Sequence, residues 1–262
     1  MARSPQEAQR LQVQAQLFSA HTEYLLRRAG IEPGMRVLDV GCGPGDVSLM
    51  TARLVGPEGS VLGVDIDAEL VALAEERAVR AGVRNLAFQQ GDVGSLTLPG
   101  GFDAVVGRFL LTHLSQPAKV LRSVVRQVRP GGLVTFLEGA YSRARTVPST
   151  PLMERGVDWM ARTLVAAGGD PDFGESLATC FLDAGLRAPG MAACTAVETD
   201  PNVAAAYTAA SVRSMLPAAV AFGVTTEEAV GIDTYEERLR EEAVAARATF
   251  FLPQVIGAWS RN

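Results

Sequence analysis

The chain has 262 residues, of which 48% are hydrophobic and 20% charged, and its formal net charge is -5. That balance suits one large globular domain and argues against a disordered chain or a nucleic-acid binder, which needs a basic face. The three cysteines, Cys42, Cys180 and Cys194, have no paired spacing, so neither a disulfide framework nor a zinc site is expected.

Residues 1–30 are polar and rich in glutamine, unlike a signal peptide, and no apolar run is long enough to cross a bilayer. A cytoplasmic protein is expected. A single lysine, Lys119, stands among 24 basic residues, and alanine is abundant, which reads as GC-rich coding and a bacterial source. Leu11, Leu17, Phe18, Leu25 and Leu26 give residues 5–29 a helical period. Gly30 closes that helix, and Pro33-Gly34 turns the chain into its first strand.

The stretch Met35-Arg-Val-Leu-Asp-Val-Gly-Cys-Gly-Pro-Gly-Asp-Val-Ser48 carries the strongest signal. An apolar strand stops at Gly41, a loop with Gly41, Gly43 and Gly45 follows, and a helix opens at Asp46. Strand, glycine turn and helix N-terminus together make a nucleotide-type cradle. The spacing Gly-x-Gly-x-Gly is one residue short of the dinucleotide fingerprint, and Asp46 would repel a pyrophosphate. A ligand without phosphates fits better, and S-adenosylmethionine (SAM) has the right parts. Asp39, a carboxylate inside an apolar strand, needs an ammonium partner or loop amides to cap.

A second acid follows 20 residues after Gly45, at the end of Ser60-Val-Leu-Gly-Val-Asp65, the spacing expected for a group on ribose hydroxyls. Asp67 is the better cap for the helix from Ala68. Asp92, in Gly91-Asp-Val93 after the strand Leu86–Gln90, either accepts from an adenine amino group or is a turn residue. Helix and strand then alternate: 46–55 helix, 60–65 strand, 68–81 helix, 86–90 strand, 102–107 strand, 116–128 helix, 133–138 strand. Such alternation means a parallel sheet with right-handed crossovers, and ligands bind beyond its carboxyl ends. Gly41, Asp65, Asp92, Arg108 and Glu138 all fall at such ends.

Further along, Thr150 and Pro151 open a helix to about Ala167. Residues 174–184 read as a helix, 191–198 as a strand and 201–216 as a helix. A second helix at 226–247 opens with the capping box Thr225-Thr-Glu-Glu228, and 249–259 is the last strand.

Val37-Leu-Asp-Val-Gly-Cys-Gly-Pro-Gly45, Gly63-Val-Asp-Ile-Asp67, Gly91-Asp-Val93, Phe102-Asp-Ala-Val-Val106 and Arg129-Pro-Gly-Gly132 occur in this order. Together they resemble the signature segments of class I SAM-dependent methyltransferases, in the small-molecule branch similar to the ubiquinone/menaquinone-biosynthesis enzymes. The resemblance covers roughly residues 35–138. It implies a Rossmann-like α/β fold: a seven-stranded, mostly parallel sheet with helices on both faces, an antiparallel last strand and helical lid insertions. The organisation expected is one domain over 1–262, with an N-terminal cap helix (1–30), a SAM-binding core (31–138) and lid or substrate segments (139–172 and 200–247). The cofactor is SAM, released as S-adenosylhomocysteine. Its expected contacts are Asp39, Gly41, Cys42, Gly43, Gly45, Asp65, Ile66, Asp92, Val93 and Arg108.

The partner expected is a small-molecule acceptor of secondary metabolism, with no nucleic acid, membrane or metal, on a monomer or homodimer. A sulfonium already activates the methyl group, so a general base is needed only for a protonated acceptor. His113, after the fourth strand, is the candidate catalytic base, with a structural role as its alternative. His21 reads as a surface residue, while Glu138 and Tyr141 are divided between pocket and structural roles. Phe18, Phe109, Tyr141, Met153, Trp159, Met160, Met215 and Phe222 are either core or the lining of an apolar acceptor pocket. O-methylation is the default, with C- and N-methylation open. The rivals are a SAM-binding fold that catalyses a non-methylating cyclisation or rearrangement, an NAD(P)-dependent oxidoreductase and a binding protein without turnover.

Overall fold

A computed structural model describes residues 5–94 and 98–262. The chain forms two units: a core unit of 20–138, 174–193 and 256–262, and a helical unit of 1–19, 139–173 and 194–255. The N-terminal helix, α1, spans Pro5–Ala29. The side chain of Leu11 lies outside the described residues, whereas Phe18, Leu25 and Leu26 are buried as the helical period requires.

The core unit is built on five parallel strands, β1 (Arg36–Val40), β2 (Ser60–Asp65), β3 (Leu86–Gln90), β4 (Phe102–Arg108) and β5 (Val128–Ala140). They run in the order β3-β2-β1-β4-β5. Strands β1 and β4 sit in the middle, so Val37, Leu38, Ala104, Val105 and Val106 are fully buried and each strand is mostly apolar at its centre, Asp39 apart. Strand β3 is the edge and carries the polar Gln89 and Gln90. Helices α2 (Asp46–Val55) and α3 (Ala68–Arg80) pack on β1, β2 and β3, and α4 (Pro117–Val125) leads into β5. Strand order reverses between β1 and β4, which places a crevice at their carboxyl ends. The loops after Val40 and after Arg108 therefore meet there.

The bounds of α2, β2 and β3 are those expected from sequence. So are those of α1, whereas several other elements differ. α4 stops at Val125 rather than 128, because Gln127 turns back onto the Val124 carbonyl and Val128 already pairs with Phe102. Arg129-Pro-Gly-Gly132 thus belongs to β5, across a register shift opposite Phe102 and Ala104.

The helical unit contains α5 (Pro151–Ala166), α7 (Pro201–Ala221), α8 (Glu227–Val230) and α9 (Ile232–Ala246), while α6 (Phe173–Asp183) lies almost wholly in the core unit. α7 packs against α5 and α9. Two side chains of α9 clamp Leu152 at the start of α5: the Leu152 amide donates to Glu242 Oε2 at 2.8 Å, and the fully buried Tyr235 hydroxyl donates to the Leu152 carbonyl at 3.0 Å. Thr150 stands at the N-cap but bonds the Thr146 hydroxyl instead, so Glu242 does the capping from another helix. The helix expected at 226–247 is two helices, broken at Gly231 with φ +55°. Thr226, not Thr225, caps α8 by accepting from the Ala229 amide, and no capping box forms. α7 runs on through Pro217 to Ala221.

Eight strands occur among the described residues, one more than expected. The addition is β6 (Arg145–Val147), three residues too short to show a period. It pairs antiparallel with the start of β8 (Thr249–Arg261), Thr146 opposite Phe250. Strand β7 (Gly190–Glu198) also pairs with β8. Of the apolar residues divided between core and pocket lining, Phe18 and Met153 are core. Trp159, Met160 and Met215 line a small cavity within the helical unit, and Phe222 is exposed.

Candidate cofactor site

Three glycines after β1 have left-handed backbones, φ +67° at Gly41, +52° at Gly43 and +82° at Gly45, and each serves a different end. A Cβ on Gly41 would lie 2.9 Å from Leu110 Cδ1, so this glycine admits the loop after β4. One on Gly45 would lie 3.0 Å from Ala74 Cβ and from Phe88 Cζ, so Gly45 lets α2 start close against α3 and β3. A Cβ on Gly43 would meet nothing within 4 Å. Gly43 is thus the point at which bare backbone faces open space, as a ligand cradle requires. Cys42 between them is buried and bonds the Gly43 carbonyl at 3.7 Å, and burial pushes its thiol far up, so it serves as a packing residue.

Asp65 secures this loop. Its Oδ2 accepts from the Gly43 amide at 2.8 Å and its Oδ1 from the Asp67 amide at 3.0 Å. Asp67 is the cap of α3, accepting from Glu69 and Leu70, as expected. Ile66 between them is 69% exposed, an apolar side chain just past the strand end. Asp92 accepts from the Gly94 amide at 2.8 Å, the geometry of a turn residue, and is exposed, with Val93 half-buried beside it.

Asp39 is 1% exposed and lies beneath the loop rather than on its surface. Ser48 of α2 donates to its Oδ2 at 2.5 Å. Asp46 is not a bare charge at the helix start, because Arg77 pairs with it at 2.5 Å and also bonds the Pro44 carbonyl. The repulsion of phosphate expected from Asp46 is therefore weakened by its neutralising partner.

Arg108 ends β4 and donates to the Thr22 hydroxyl of α1 at 2.9 Å. Phe109 then turns the chain with φ +55°, and a 3-10 turn at Leu111–His113 follows. His113 is exposed at the end of this turn. His21 is half-buried, not a surface residue, and its Nδ1 is enclosed with no hydrogen-bond partner among the described residues. Glu138 is fully buried, and its Oε1 accepts from the Leu110 and Leu111 amides at 2.9 and 2.7 Å. Tyr141 lies in the helical unit, its amide bonded to the Pro171 carbonyl. Sequence reasoning missed Ser48 and Leu110. Ser48 falls within the helix that opens the motif, but nothing local marks it as the partner of Asp39.

Burial raises the carboxyl of Asp39 from 3.8 to about 7, against the opposing effect of the Ser48 hydrogen bond and the Arg108 charge. Burial likewise raises Glu138 from 4.5 to about 7, against the amides it accepts from. Both folded values exceed the unfolded ones, so the native state holds more protons across this interval. The stability these groups contribute is present below the unfolded values and is lost as pH rises through about 7. Asp39→Asn removes one of these titrations. The stability of the parent minus that of this variant, from urea unfolding at pH 4 to 8, is expected to fall as pH rises. A difference that stays flat or grows contradicts the buried-acid reading.

The parallel sheet, its switch point and the open glycine loop are similar to those of class I SAM-dependent methyltransferases, and residues 31–154, a little under half of the chain, match the methyltransferase domain model. The chain carries that domain over this stretch. More particularly, it is 32% identical over 148 residues to the ubiquinone/menaquinone biosynthesis C-methyltransferase UbiE of Pseudomonas paraeruginosa, covering 56% of each chain. It spans little more than half the length of that relative. Among solved structures, a putative methyltransferase from Bacillus halodurans superposes with a TM-score of 0.60 at 16% identity, over 92% of this chain and 98% of that one. The 4+2 cyclase SpnF superposes at 0.55 with 19% identity, over 93% and 80%. At such identities the likeness is one of fold. Among the described residues no helix is long and apolar enough to cross a membrane.

Proposed function

We propose that the protein transfers a methyl group from SAM to a small, fairly apolar acceptor. The observation that carries this is Gly43: a backbone at φ +52° facing open space, with its amide tied to the acid of the next strand. The residues proposed to hold the cofactor are Gly41, Cys42, Gly43 and Gly45 of the loop, Asp65 and Ile66 on the ribose and base side, and Asp92, Val93 and Arg108 around them. Asp39 supports the loop from beneath. Bound there, the cofactor supplies a methyl group already activated by its sulfonium. What the chain contributes is orientation and exclusion of water. Relatives named C-methyltransferases favour carbon as the receiving atom over the oxygen taken as default from sequence.

Calorimetric titration with SAM, S-adenosylhomocysteine and NAD(P)H tests the reading. Micromolar binding of the first two and none of the third is expected. Binding of NAD(P)H alone would sink it. A cyclase of this fold would bind SAM without forming S-adenosylhomocysteine during turnover, so product analysis separates the two chemistries.

His113 is proposed as the base for a protonated acceptor, being an imidazole on the loop at the carboxyl end of β4. His113→Ala is expected to lower turnover by about 10²–10⁴ and to erase a pH dependence near neutrality. A pH–rate profile that overlays the parent's would leave the reaction to positioning alone.

A further inference from the structure

Glu138 ends the run Leu133–Leu137 of β5 with an acid, is fully buried, and belongs to none of the motifs that mark the cofactor loop. Its surroundings show what it does. The Phe109 amide donates to the Leu137 carbonyl, which carries the ladder between β4 and β5 as far as it goes. The chain then swings out at Phe109, and the next two amides, Leu110 and Leu111, would be left without acceptors at the start of a 3-10 turn. Leu110 stands at the cap position and has no side-chain acceptor of its own. Glu138 Oε1 supplies the acceptor for both amides from the neighbouring strand. Charge-assisted bonds to a carboxylate are stronger than neutral ones, and these two are enclosed. Leu110, held in this way, lays its side chain over Gly41, so closely that a Cβ there would stand 2.9 Å from its Cδ1.

We propose that Glu138 is a positioning residue of the cofactor site: its carboxylate fixes the Leu110–Leu111 turn, and through Leu110 it sets the first glycine of the loop. For its effect on the cofactor this rests on the methyltransferase reading; the tether itself does not. Oε2 of Glu138 has no partner among the described residues, so one oxygen of the carboxylate carries the contact and the other is spare. The Thr112 amide also acts on this carboxyl, after those of Leu111 and Leu110, and a neutral side chain with a single carbonyl keeps the two bonds that Oε1 accepts.

Residue-resolved amide exchange on the ligand-free protein and calorimetric SAM affinity test this together. In the parent, the Leu110 and Leu111 amides are expected to exchange slowly. Glu138→Leu should speed both by about tenfold or more relative to Val105 and Val106 of β4, and raise the Kd for SAM by about tenfold or more. Glu138→Gln should restore both readouts to within about threefold of the parent, a rescue that a requirement for charge alone would not allow. Leu110→Ala should keep the slow amides yet weaken SAM binding by about threefold or more, since it removes only the second link. If Glu138→Leu does not fold, the parent exchange rates and Leu110→Ala decide. Unprotected Leu110 and Leu111 amides in the parent, or parental SAM affinity in Leu110→Ala or in a folded Glu138→Leu, would overturn the proposal. A parent that binds no SAM would instead remove the methyltransferase reading, leaving the exchange results to judge the tether.

Discussion

Gly43→Val is expected to abolish SAM binding, raising Kd by at least about 100-fold, while leaving a folded protein. Two effects add. A valine must occupy φ +52°, a conformation costly for any L-residue and most for a β-branched one. Its side chain also fills the space that the fold leaves open above the loop. The strain alone is worth about 1–3 kcal/mol, enough to lower the melting temperature by several degrees without unfolding the chain. Gly82→Val separates the two effects. Gly82 also has a left-handed backbone, φ +64°, with nothing within 4 Å, but it closes α3 away from the glycine loop in sequence and in role. The two variants should lose comparable stability, and only Gly43→Val should lose the cofactor. Equal SAM affinity in both would reduce the loop to a tight turn.

What was legible in the sequence followed from local rules. The bounds of α2, β2 and β3 are set by glycines and runs of β-formers, all visible within a few residues. Asp67 as the cap of α3 needed no tertiary knowledge. Asp39 and Glu138 gave the same signal, a carboxylate inside an apolar strand, and that signal states only that burial must be compensated. It does not say by whom. For Asp39 the partner is Ser48, nine residues on; for Glu138 it is a pair of amides from a loop that returns after β4. The Ser48 partner lies within the same motif but is brought back by the glycine turn, and the Glu138 partners lie 28 and 27 positions away, beyond any local window. Asp46 failed differently, for its charge was read alone, whereas Arg77 of α3 neutralises it across 31 positions. The short β6 and the break at Gly231 escaped because three residues show no period and because the apolar pattern runs through the glycine unchanged.

Asp65→Ala is expected to weaken SAM binding by about 1–3 kcal/mol, or roughly 5- to 150-fold, the range for losing a charged hydrogen-bond partner. Loss of affinity alone would not identify the cause, because Asp65 already accepts from the Gly43 and Asp67 amides, and its removal also loosens the loop. A double cycle between residue and ligand resolves this. The parent should bind S-adenosylhomocysteine more tightly than an analogue lacking the 2′ and 3′ hydroxyls. If Asp65 accepts from those hydroxyls, that preference shrinks towards zero in Asp65→Ala, since neither partner then has the other to lose. If Asp65 only ties the loop, both ligands weaken equally and the preference survives. Asp65→Asn refines the answer. It keeps one carbonyl oxygen for the Gly43 amide but replaces the other with an amide that cannot accept from a hydroxyl. Because the other oxygen accepts from the Asp67 amide, the loop is only partly restored; partial loop stability with a lost ribose preference is the expected signature, and a preference retained in both variants would take the ribose role away from Asp65.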